Sequence, residues 1–246
     1  MKAMILAAGL GTRLRPLTDN KPKALVEVCG RTLLEITLSR LRSFGFQQVI
    51  INVHHFADVV IAYLKTHGNF GMHIEISRED VLLDTGGGLK KAAWFFLEGP
   101  DEPFLLHNVD VLSDIDFARM LRAHLEAGAL ATLAVQQRDS ARQLLFDQDG
   151  KLCGRRKGRG VDDEILRTSD AVEPLAFCGI HAISPRLLRM FTEEGAFSIV
   201  DTYLRSAAAR ETIQAFRADE YDWRDLGRPE NITQAEADAR HKLLLQ

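Results

Sequence analysis

The sequence begins with the stretch AMILAAGLGTRLRPLTDNKPKAL at residues 3–25. Its first five residues are apolar, which predicts a buried β-strand over 3–7 that ends in a glycine-rich turn. Gly9 and Gly11 lack side chains, so successive backbone N–H groups can approach a ligand and form a concavity that binds anions. The cations that follow are Arg13, Arg15, Lys21 and Lys23. This combination favours a polyphosphate as the ligand.

Two common phosphate-binding motifs are excluded by this stretch. A dinucleotide fingerprint needs a third glycine at the position of Leu14, with a helix that opens there. Pro16 and Pro22 instead indicate an extended, looped path. A P-loop needs Gly, four residues and then Gly-Lys-Ser/Thr, and the sequence contains no such run.

The composition is that of a globular protein with ordinary charge. A length of 246 residues with 46% hydrophobic residues is enough for one large α/β domain. Lys and Arg total 31 against 34 Asp and Glu, which excludes the basic excess of nucleic-acid and anionic-membrane binders. The 3 cysteines form no CxxC pair, which argues against a disulfide framework and a zinc site. With neither a signal segment nor an apolar run of about eighteen residues, the expected location is the cytoplasm.

Strand and helix patterns alternate through the first half of the chain. Apolar runs predict strands at 3–7, 48–53, 73–77, 103–108 and 130–136, with helices between them. Thr32 and Glu35 have the spacing of a capping box at the start of the first helix. The alternation implies an α/β fold, a Rossmann-like three-layer sandwich with a mainly parallel central sheet.

The second half of the chain changes pattern. A hairpin is predicted over 144–153 with its turn at Asp149-Gly150, followed by a flexible excursion over 155–170. Strands are predicted at 175–183 and 211–217, and helices at 185–191, 198–209 and 229–245. The cations of the excursion, Arg155, Arg156 and Lys157, are interpreted as a solvated charge run.

Polar residues follow the predicted strands of the first half. Ligands of parallel α/β sheets bind at the carboxyl ends of the strands, so we expect these residues to share one cleft with the glycine-rich loop. They are Asn52, His54, His55, Thr85, Gly86, Gly87, Gly88, Asn108 and Asp110. The two histidines are interpreted as structural or as neighbours of the base. The glycine run is predicted to lie in a turn that leads into a helix ending at Phe96. It is either a backbone wall against the nucleotide base or a helix entry whose glycines avoid a clash.

The string Leu-Ala-Ala-Gly-x-Gly-Thr-Arg-Leu-x-Pro-Leu-Thr at 6–18, followed by Lys-Pro-Lys at 21–23, resembles the signature of the sugar-1-phosphate nucleotidyltransferases. This resemblance implies that Asp110 and Asp225 hold Mg²⁺ together. Asp110 lies in Asn108-Val109-Asp110, where valine replaces the usual glycine, and Asp225 lies in Trp-Arg-Asp-Leu-Gly at 223–227. Magnesium prefers oxygen ligands, keeps several waters and is shared with substrate phosphates, so two carboxylates are enough.

The resemblance also implies roles for other residues of the expected cleft. Nucleotide binding is assigned to Ala8, Gly9, Gly11, Thr12, Arg13, Asn52, Thr85, Gly86 and Gly87. Sugar binding is assigned to Asn108 and to Gly179, which follows Cys178 at a position where a hydroxyl residue is usual. Catalysis is assigned to Arg13, Lys23 and Asp110. The implied organisation is a single domain over 1–246, with a nucleotide-binding core at 1–135, a sugar-binding elaboration at 136–228 and a C-terminal helix at 229–246.

The implied reaction joins a nucleoside triphosphate and a sugar 1-phosphate into a nucleotide sugar and pyrophosphate. UTP is favoured as the donor, and the product would serve as a cell-wall or polysaccharide precursor. Guanylyl or cytidylyl transfer to another phosphorylated substrate stays open, as does a non-catalytic nucleotide-sugar sensor. Nucleic acid and membrane are not expected partners, and the sequence predicts no oligomeric state.

Overall fold

The computed structural model describes residues 1–158 and 161–238, which form a ten-stranded mixed sheet, two short ribbons and flanking helices. The strands are β1 (Lys2–Leu6), β2 (Glu27–Val28), β3 (Arg31–Thr32), β4 (Gln48–Val53), β5 (His73–Arg78), β6 (Phe104–Asn108), β7 (Val111–Ser113), β8 (Ala131–Gln136), β9 (Gln143–Phe146), β10 (Leu152–Arg156), β11 (Glu164–Ile165), β12 (Glu173–Ile183), β13 (Ile213–Arg217) and β14 (Trp223–Asp225). The α-helices are α1 (Leu33–Ser43), α2 (Ala57–Thr66), α3 (Asp84–Lys91), α4 (Ala93–Leu97), α5 (Phe117–Glu126), α6 (Ile199–Ala208) and α7 (Pro229–Ala237).

The sheet is parallel where the first half of the chain builds it. The main path of the sheet runs β11-β10-β9-β12-β6-β1-β4-β5, with β8 paired to β12 and β13 to β8. The strands of the segment β6-β1-β4-β5 are parallel to one another, whereas β12 is antiparallel to β6, β8 and β9. The predicted α/β sandwich with mostly parallel central strands is therefore confirmed.

Helices cover both faces of the sheet because neighbouring strand residues point in opposite directions. On β1, Ile5 packs into a core that includes Leu38 and Phe117, whereas Met4 packs into a second core with Phe96 and Tyr203. Both faces of a parallel strand are then buried, which explains the continuous apolar runs of the sequence.

The beginning of α1 differs in one respect from the predicted capping box. The Thr32 side chain accepts a hydrogen bond from the backbone N–H of Glu35 at 3.1 Å, as the N-cap rule requires. The Glu35 carboxylate accepts a 2.8 Å bond from Arg31 Nε instead of closing the box.

Two predictions for the second half need correction. The 155–170 segment is not wholly irregular, because β10 extends to Arg156 and pairs with β11, whose Glu164 lies opposite Arg155. Residues 159–160 lie outside the described residues. The terminal helix, predicted to run to 245, ends at Ala237, and residues 239–246 also lie outside the described part of the chain. Within that described part, no helix is long and apolar enough to cross a membrane.

Candidate active site

A cleft of about 600 Å³ lies beyond the carboxyl ends of β1, β4, β5 and β6. Its lining residues come from the loops that follow these strands and from the second half of the chain. They are Leu6, Ala8, Gly9, Lys23, Asn52, Glu79, Leu82, Asp84, Thr85, Asn108, Val109, Asp110 and Ala196. The parallel sheet thus brings Asn52, Thr85, Asn108 and Asp110, which follow separate strands in the sequence, into one cleft.

The glycine-rich loop has one constrained and one open glycine. Gly11 has φ +65°, and a Cβ there would lie 3.0 Å from Thr18 Cγ2 and 3.2 Å from Lys23 Cβ. Thr18 Oγ1 also donates a 2.8 Å hydrogen bond to the Gly11 carbonyl. Around Gly9, by contrast, nothing lies within 4 Å of an added Cβ. Gly11 is therefore needed to fold the loop, whereas Gly9 leaves space that a ligand can occupy.

Lys23 and Asp110 form an ion pair at the edge of the cleft. The Lys23 ammonium donates a hydrogen bond to Asp110 Oδ2. The two side chains are 13% and 14% exposed, so the charges are largely shielded from water but still reach the cleft surface. A ligand that approaches Lys23 also approaches the Asp110 carboxylate.

The second aspartate reaches the same place through a pairing that joins distant parts of the chain. β7 and β14 are antiparallel, with Asp225 opposite Val111, and Leu226 N donates a 2.7 Å bond to the Asp110 carbonyl. A Cβ added to Gly227 would lie 2.7 Å from Asp225 Oδ1 and 3.1 Å from Asp110 Oδ2. The same point is 3.0 Å from Arg13 Nη2.

Two carboxylates and a guanidinium therefore surround one position beside the glycine-rich loop. In the described ranges 1–158 and 161–238, no group of three or more His, Cys, Asp and Glu side chains gathers around a metal position. A pair of carboxylate oxygens nevertheless fits an ion such as Mg²⁺, which takes few protein ligands and completes its octahedron with water and phosphate oxygens. Asp110 and Asp225 are the residues that could hold it.

The glycine run after β5 is helical, which corrects the predicted turn. Gly86, Gly87 and Gly88 lie inside α3 and are buried. The backbone N–H groups of Gly86 and Gly87 point to the Phe197 carbonyl, at 2.9 and 3.3 Å. A Cβ on Gly86 would overlap the Phe197 ring, and one on Gly87 would overlap the Gly195 carbonyl. These glycines allow close packing of α3 on the 195–197 loop, as in the helix-entry alternative.

Thr85 is the residue of this run that lines the cleft. Its hydroxyl oxygen accepts a 3.0 Å hydrogen bond from Ile199 N at the start of α6. The predicted contact of Thr85 with the nucleotide stays a prediction, while Gly86 and Gly87 are placed behind the cleft wall instead of in it.

Asn52 is 2% exposed, and both ends of its amide are engaged within the protein. Its Oδ1 accepts a 2.7 Å bond from Ala7 N, and its Nδ2 donates a 2.7 Å bond to Glu79 Oε1. The sequence reasoning missed Glu79, a buried carboxylate one residue beyond β5. The signal that could have identified it is the rule already applied to β4 and β6, that residues just past a parallel strand face the ligand.

The two histidines after β4 make local contacts outside the main cleft. His54 Nδ1 lies 2.9 Å from the Glu79 carbonyl, and the His55 ring packs against Phe56 with centroids 4.0 Å apart. Neither lines the main cleft.

The predicted sugar contacts, Asn108 and Gly179, lie against each other. Gly179 has φ +73°, and a Cβ there would lie 2.7 Å from Asn108 Nδ2. The preceding residue, Cys178, is fully buried, and burial raises the pKa of its thiol to about 12. The Cys178 carbonyl accepts a 2.7 Å bond from Trp223 Nε1. Cys178, which stands where a hydroxyl residue is usual, therefore lies inside the core and not on the cleft surface.

A second pocket of about 610 Å³ lies beside β12 and the start of α6. Phe177 and Ser198 line it together with the basic side chains Arg142, Arg155, Arg156 and Lys157. The last three were interpreted as a solvated run, but they form ion pairs. Arg155 bonds Glu164 and Asp201, Arg156 bonds Asp163, and Lys157 bonds Glu164, with distances of 2.7–2.9 Å.

Comparison with known proteins shows the family to which this chain belongs. The family model described as "Nucleotidyl transferase" matches residues 2–144. The chain is 35% identical, over 96% of its length and 95% of the relative's, to N-acetylmuramate alpha-1-phosphate uridylyltransferase of Caulobacter vibrioides. It is 28% identical to a mannose-1-phosphate guanyltransferase of Yarrowia lipolytica, over 94% of this chain and 62% of that protein.

A solved structure supports the fold. UDP-glucose pyrophosphorylase in complex with UDP-glucose superposes with a TM-score of 0.77 and 19% identity, over 98% of both chains. The family match covers more than half of the sequence, and the Caulobacter relative spans nearly all of it. This chain therefore belongs to the nucleotidyl transferase family and is an enzyme of its sugar-1-phosphate nucleotidyltransferase branch.

Proposed function

We propose that the chain transfers a uridylyl group from UTP to N-acetylmuramate 1-phosphate, with Mg²⁺ bound and with release of pyrophosphate. The observation that carries the proposal is the convergence of Arg13, Asp110 and Asp225 on one position beside the glycine-rich loop. The choice of UTP and of this sugar is supported by the relative of Caulobacter vibrioides, whose 35% identity extends over both halves of the chain.

The reaction needs no enzyme nucleophile. A sugar 1-phosphate has a second pKa near ~6 and is mostly a dianion at neutral pH, so its oxygen can attack the α-phosphorus of UTP directly. Catalysis is then a matter of positioning the two phosphates and stabilising charge. Lys23 holds the α-phosphate towards the incoming oxygen, and Arg13 neutralises the pyrophosphate as it leaves. Mg²⁺ held by Asp110 and Asp225 would stabilise the negative charge of the triphosphate.

The sugar end of the substrate is assigned to Asn108, Gly179 and the adjoining second pocket. Gly179 lies two residues along β12 from Phe177, which lines that pocket. N-acetylmuramate carries a carboxylate, which Arg142 in the lining of that pocket could bind, whereas Arg155, Arg156 and Lys157 are paired with Asp163, Glu164 and Asp201. In the proposed division at 135 and 228, the first part binds the nucleotide and contributes Asn108 to the sugar site, and the second part supplies the rest of the sugar site.

The cytoplasm is the proposed location of this reaction. All cysteines of the described residues, Cys29, Cys153 and Cys178, are free thiols, which fits a reducing compartment.

Pyrophosphate release from a matrix of substrates tests the proposal. Purified protein is mixed with UTP, GTP, CTP or dTTP and with the 1-phosphates of N-acetylmuramate, N-acetylglucosamine, glucose or mannose, with Mg²⁺ or with EDTA. The expected result is release with UTP and N-acetylmuramate 1-phosphate that EDTA abolishes. Preference for GTP with mannose 1-phosphate would support the guanylyl alternative represented by the Yarrowia relative. Nucleotide-sugar binding without turnover of any pair would instead indicate a sensor.

A further inference from the structure

The described structure contains a chain of buried hydrogen bonds that the proposed reaction does not use. Ala7 N donates to Asn52 Oδ1 at 2.7 Å, and Asn52 Nδ2 donates to Glu79 Oε1 at 2.7 Å. The other oxygen, Glu79 Oε2, accepts a 3.0 Å bond from Leu83 N. We propose that this Asn52–Glu79 relay is a positioning device, which aligns the phosphate-binding loop with the wall of the nucleotide cleft formed by the start of α3.

The two ends of the relay are at the two sides of the cleft. Ala7 directly follows β1 and precedes Ala8 and Gly9, which line the cleft at the phosphate-binding loop. Leu83 directly precedes α3, whose first turn carries the cleft residue Thr85. The relay therefore fixes the distance between these two elements across the ends of β1, β4 and β5.

Glu79 is held so that its carboxylate can serve both partners. Its backbone N–H donates a 2.8 Å bond to the Val53 carbonyl, and its own carbonyl lies 2.9 Å from His54 Nδ1. Asn52 and Glu79 are each 2% exposed. Hydrogen bonds to a buried carboxylate are stronger than hydrogen bonds between neutral groups. A buried donor that loses its acceptor destabilises the folded protein.

The relay also explains the last glycine of the run in α3. A Cβ on Gly88 would lie 2.8 Å from Asn52 Nδ2 and 2.8 Å from Glu79 Oε1. The helix can approach both side chains only because this residue has none. Gly88 is thus a residue of the positioning device, unlike Gly86 and Gly87, which pack against the 195–197 loop.

The hydrogen-bond polarity of the relay makes a reciprocal exchange possible. In Glu79→Gln the new amide nitrogen must face either Asn52 Nδ2 or Leu83 N, so one bond is lost in either orientation. In Asn52→Asp a second carboxylate faces Glu79. In the double variant the amide nitrogen introduced at position 79 donates to the carboxylate introduced at position 52. The amide oxygen at position 79 then accepts from Leu83 N, and the carboxylate at position 52 still accepts from Ala7 N. All of the bonds are restored, with their direction reversed at the centre.

The test compares both single variants with the double variant in two assays. Amide hydrogen exchange at Ala7 and Leu83 is measured in the ligand-free protein, and the KM values for UTP and for the sugar phosphate are measured separately. Because a broken or repulsive contact between positions 52 and 79 loosens the relay, we expect each single variant to speed exchange at Ala7 or Leu83. We also expect it to raise the KM for UTP about tenfold, the change expected for one lost hydrogen bond. The KM for the sugar phosphate should change little, and the double variant should recover both properties.

Tyr203→Phe is the matched control for a loss of stability alone. Its hydroxyl makes a buried 2.8 Å bond to His181 Nδ1 in the opposite core, so the variant should lower the melting temperature without raising the KM for UTP. The proposal is overturned if the single variants melt earlier but keep the KM for UTP and the exchange rates, or if the double variant fails to recover them.

The proposed role of the relay rests on the proposed function, and the two proposals are contradicted by different results. If the wild-type protein releases pyrophosphate from no pair of substrates, the proposed function fails. The exchange rates at Ala7 and Leu83 in the single and double variants still decide whether the relay exists.

Discussion

Asp110 and Asp225 are 115 residues apart in the sequence, yet one carboxylate oxygen from each lies within 3.1 Å of a single point beside Gly227. The ribbon of β7 and β14 produces this proximity, because Leu226 N bonds the Asp110 carbonyl and the two aspartates leave the ribbon at the same end. Arg13 Nη2 lies within 3.0 Å of the same point. The position is therefore crowded by the three side chains to which charge stabilisation is assigned.

Gly227→Ala is expected to inactivate the enzyme without unfolding it. The added methyl would lie 2.7 Å from Asp225 Oδ1 and 3.0 Å from Arg13 Nη2, so both side chains must move. Loss of one preorganised charge-stabilising group typically costs on the order of a hundredfold in kcat. Steady-state kinetics and thermal melts check this. Gly68→Ala is the control, because its φ of +58° strains an alanine away from the cleft, which should lower the melting temperature and leave kcat unchanged. Near-normal kcat in Gly227→Ala would contradict the site.

Gly9→Ala is expected to weaken nucleotide binding while leaving the free protein stable. Nothing lies within 4 Å of the added Cβ in the structure, so the substitution creates no clash in the fold. The methyl would instead occupy space proposed for the triphosphate, next to backbone N–H groups. Calorimetric titration with UTP should show weaker binding by about tenfold or more, at an unchanged melting temperature. Unaltered affinity would mean that the phosphates bind elsewhere.

Lys23→Ala is expected to lower kcat/KM by on the order of a hundredfold or more, because it removes a shielded cation proposed to hold the α-phosphate. The variant also leaves Asp110 without its ammonium partner. Lys65→Ala, an exposed lysine at the end of α2, is the control for a change of one positive charge. Turnover by Lys23→Ala within a few-fold of the wild type would show that the assigned role is wrong.

The pH dependence of stability is predicted from three buried histidines, His107, His124 and His181. Burial lowers the pKa of His107 and that of His124 to about 4 and the pKa of His181 to about 3, below the ordinary value of about 6.5. The unfolded chain therefore binds more protons than the native protein between these values, so the free energy of unfolding falls as the pH decreases from 6.5. Near pH 5 the slope from the three groups is about 3 to 4 kcal/mol per pH unit.

Urea unfolding at pH 7, 6 and 5 measures this slope. His73→Gln, at the exposed start of β5, is the comparison variant, in which the slope from the buried histidines should persist. A free energy of unfolding that stays constant from pH 6.5 to 5 would contradict the assignment of the three histidines as neutral in the native protein.

The sequence predicted the parallel part of the fold because that part is encoded locally. Each central strand is a short apolar run, and the segments between these strands have the apolar spacing of helices. The type of each element and its burial can therefore be recognised from the sequence. The glycine-rich loop and Asp110 line the expected cleft for the same reason, since each follows such a strand, and their binding roles stay predictions. The proximity of Asp225 came from the family resemblance and could not be derived from spacing.

The features that sequence reasoning missed depend on contacts between distant segments. The ribbon of β7 and β14 is only a few residues long on each side and has no periodic signal. The glycine run was expected to be a turn, because glycine has a low intrinsic helix propensity. It is helical because its packing against Phe197 favours the helix. The bonds of the Asn52 amide to Ala7 and Glu79 join separate segments and could not be predicted either, whereas the expected contact of Asn52 with the nucleotide stays a prediction.

The measurement that tests the central claim most directly is the affinity for UTP with and without Mg²⁺, in the wild type and in Asp110→Asn and Asp225→Asn. If the two aspartates hold the metal that the triphosphate shares, Mg²⁺ should strengthen UTP binding in the wild type by about tenfold or more and in neither variant. Asp58→Asn, at an exposed aspartate on α2, should behave as the wild type. An equal strengthening by Mg²⁺ in all of these proteins would contradict the claim that Asp110 and Asp225 form one metal-nucleotide site.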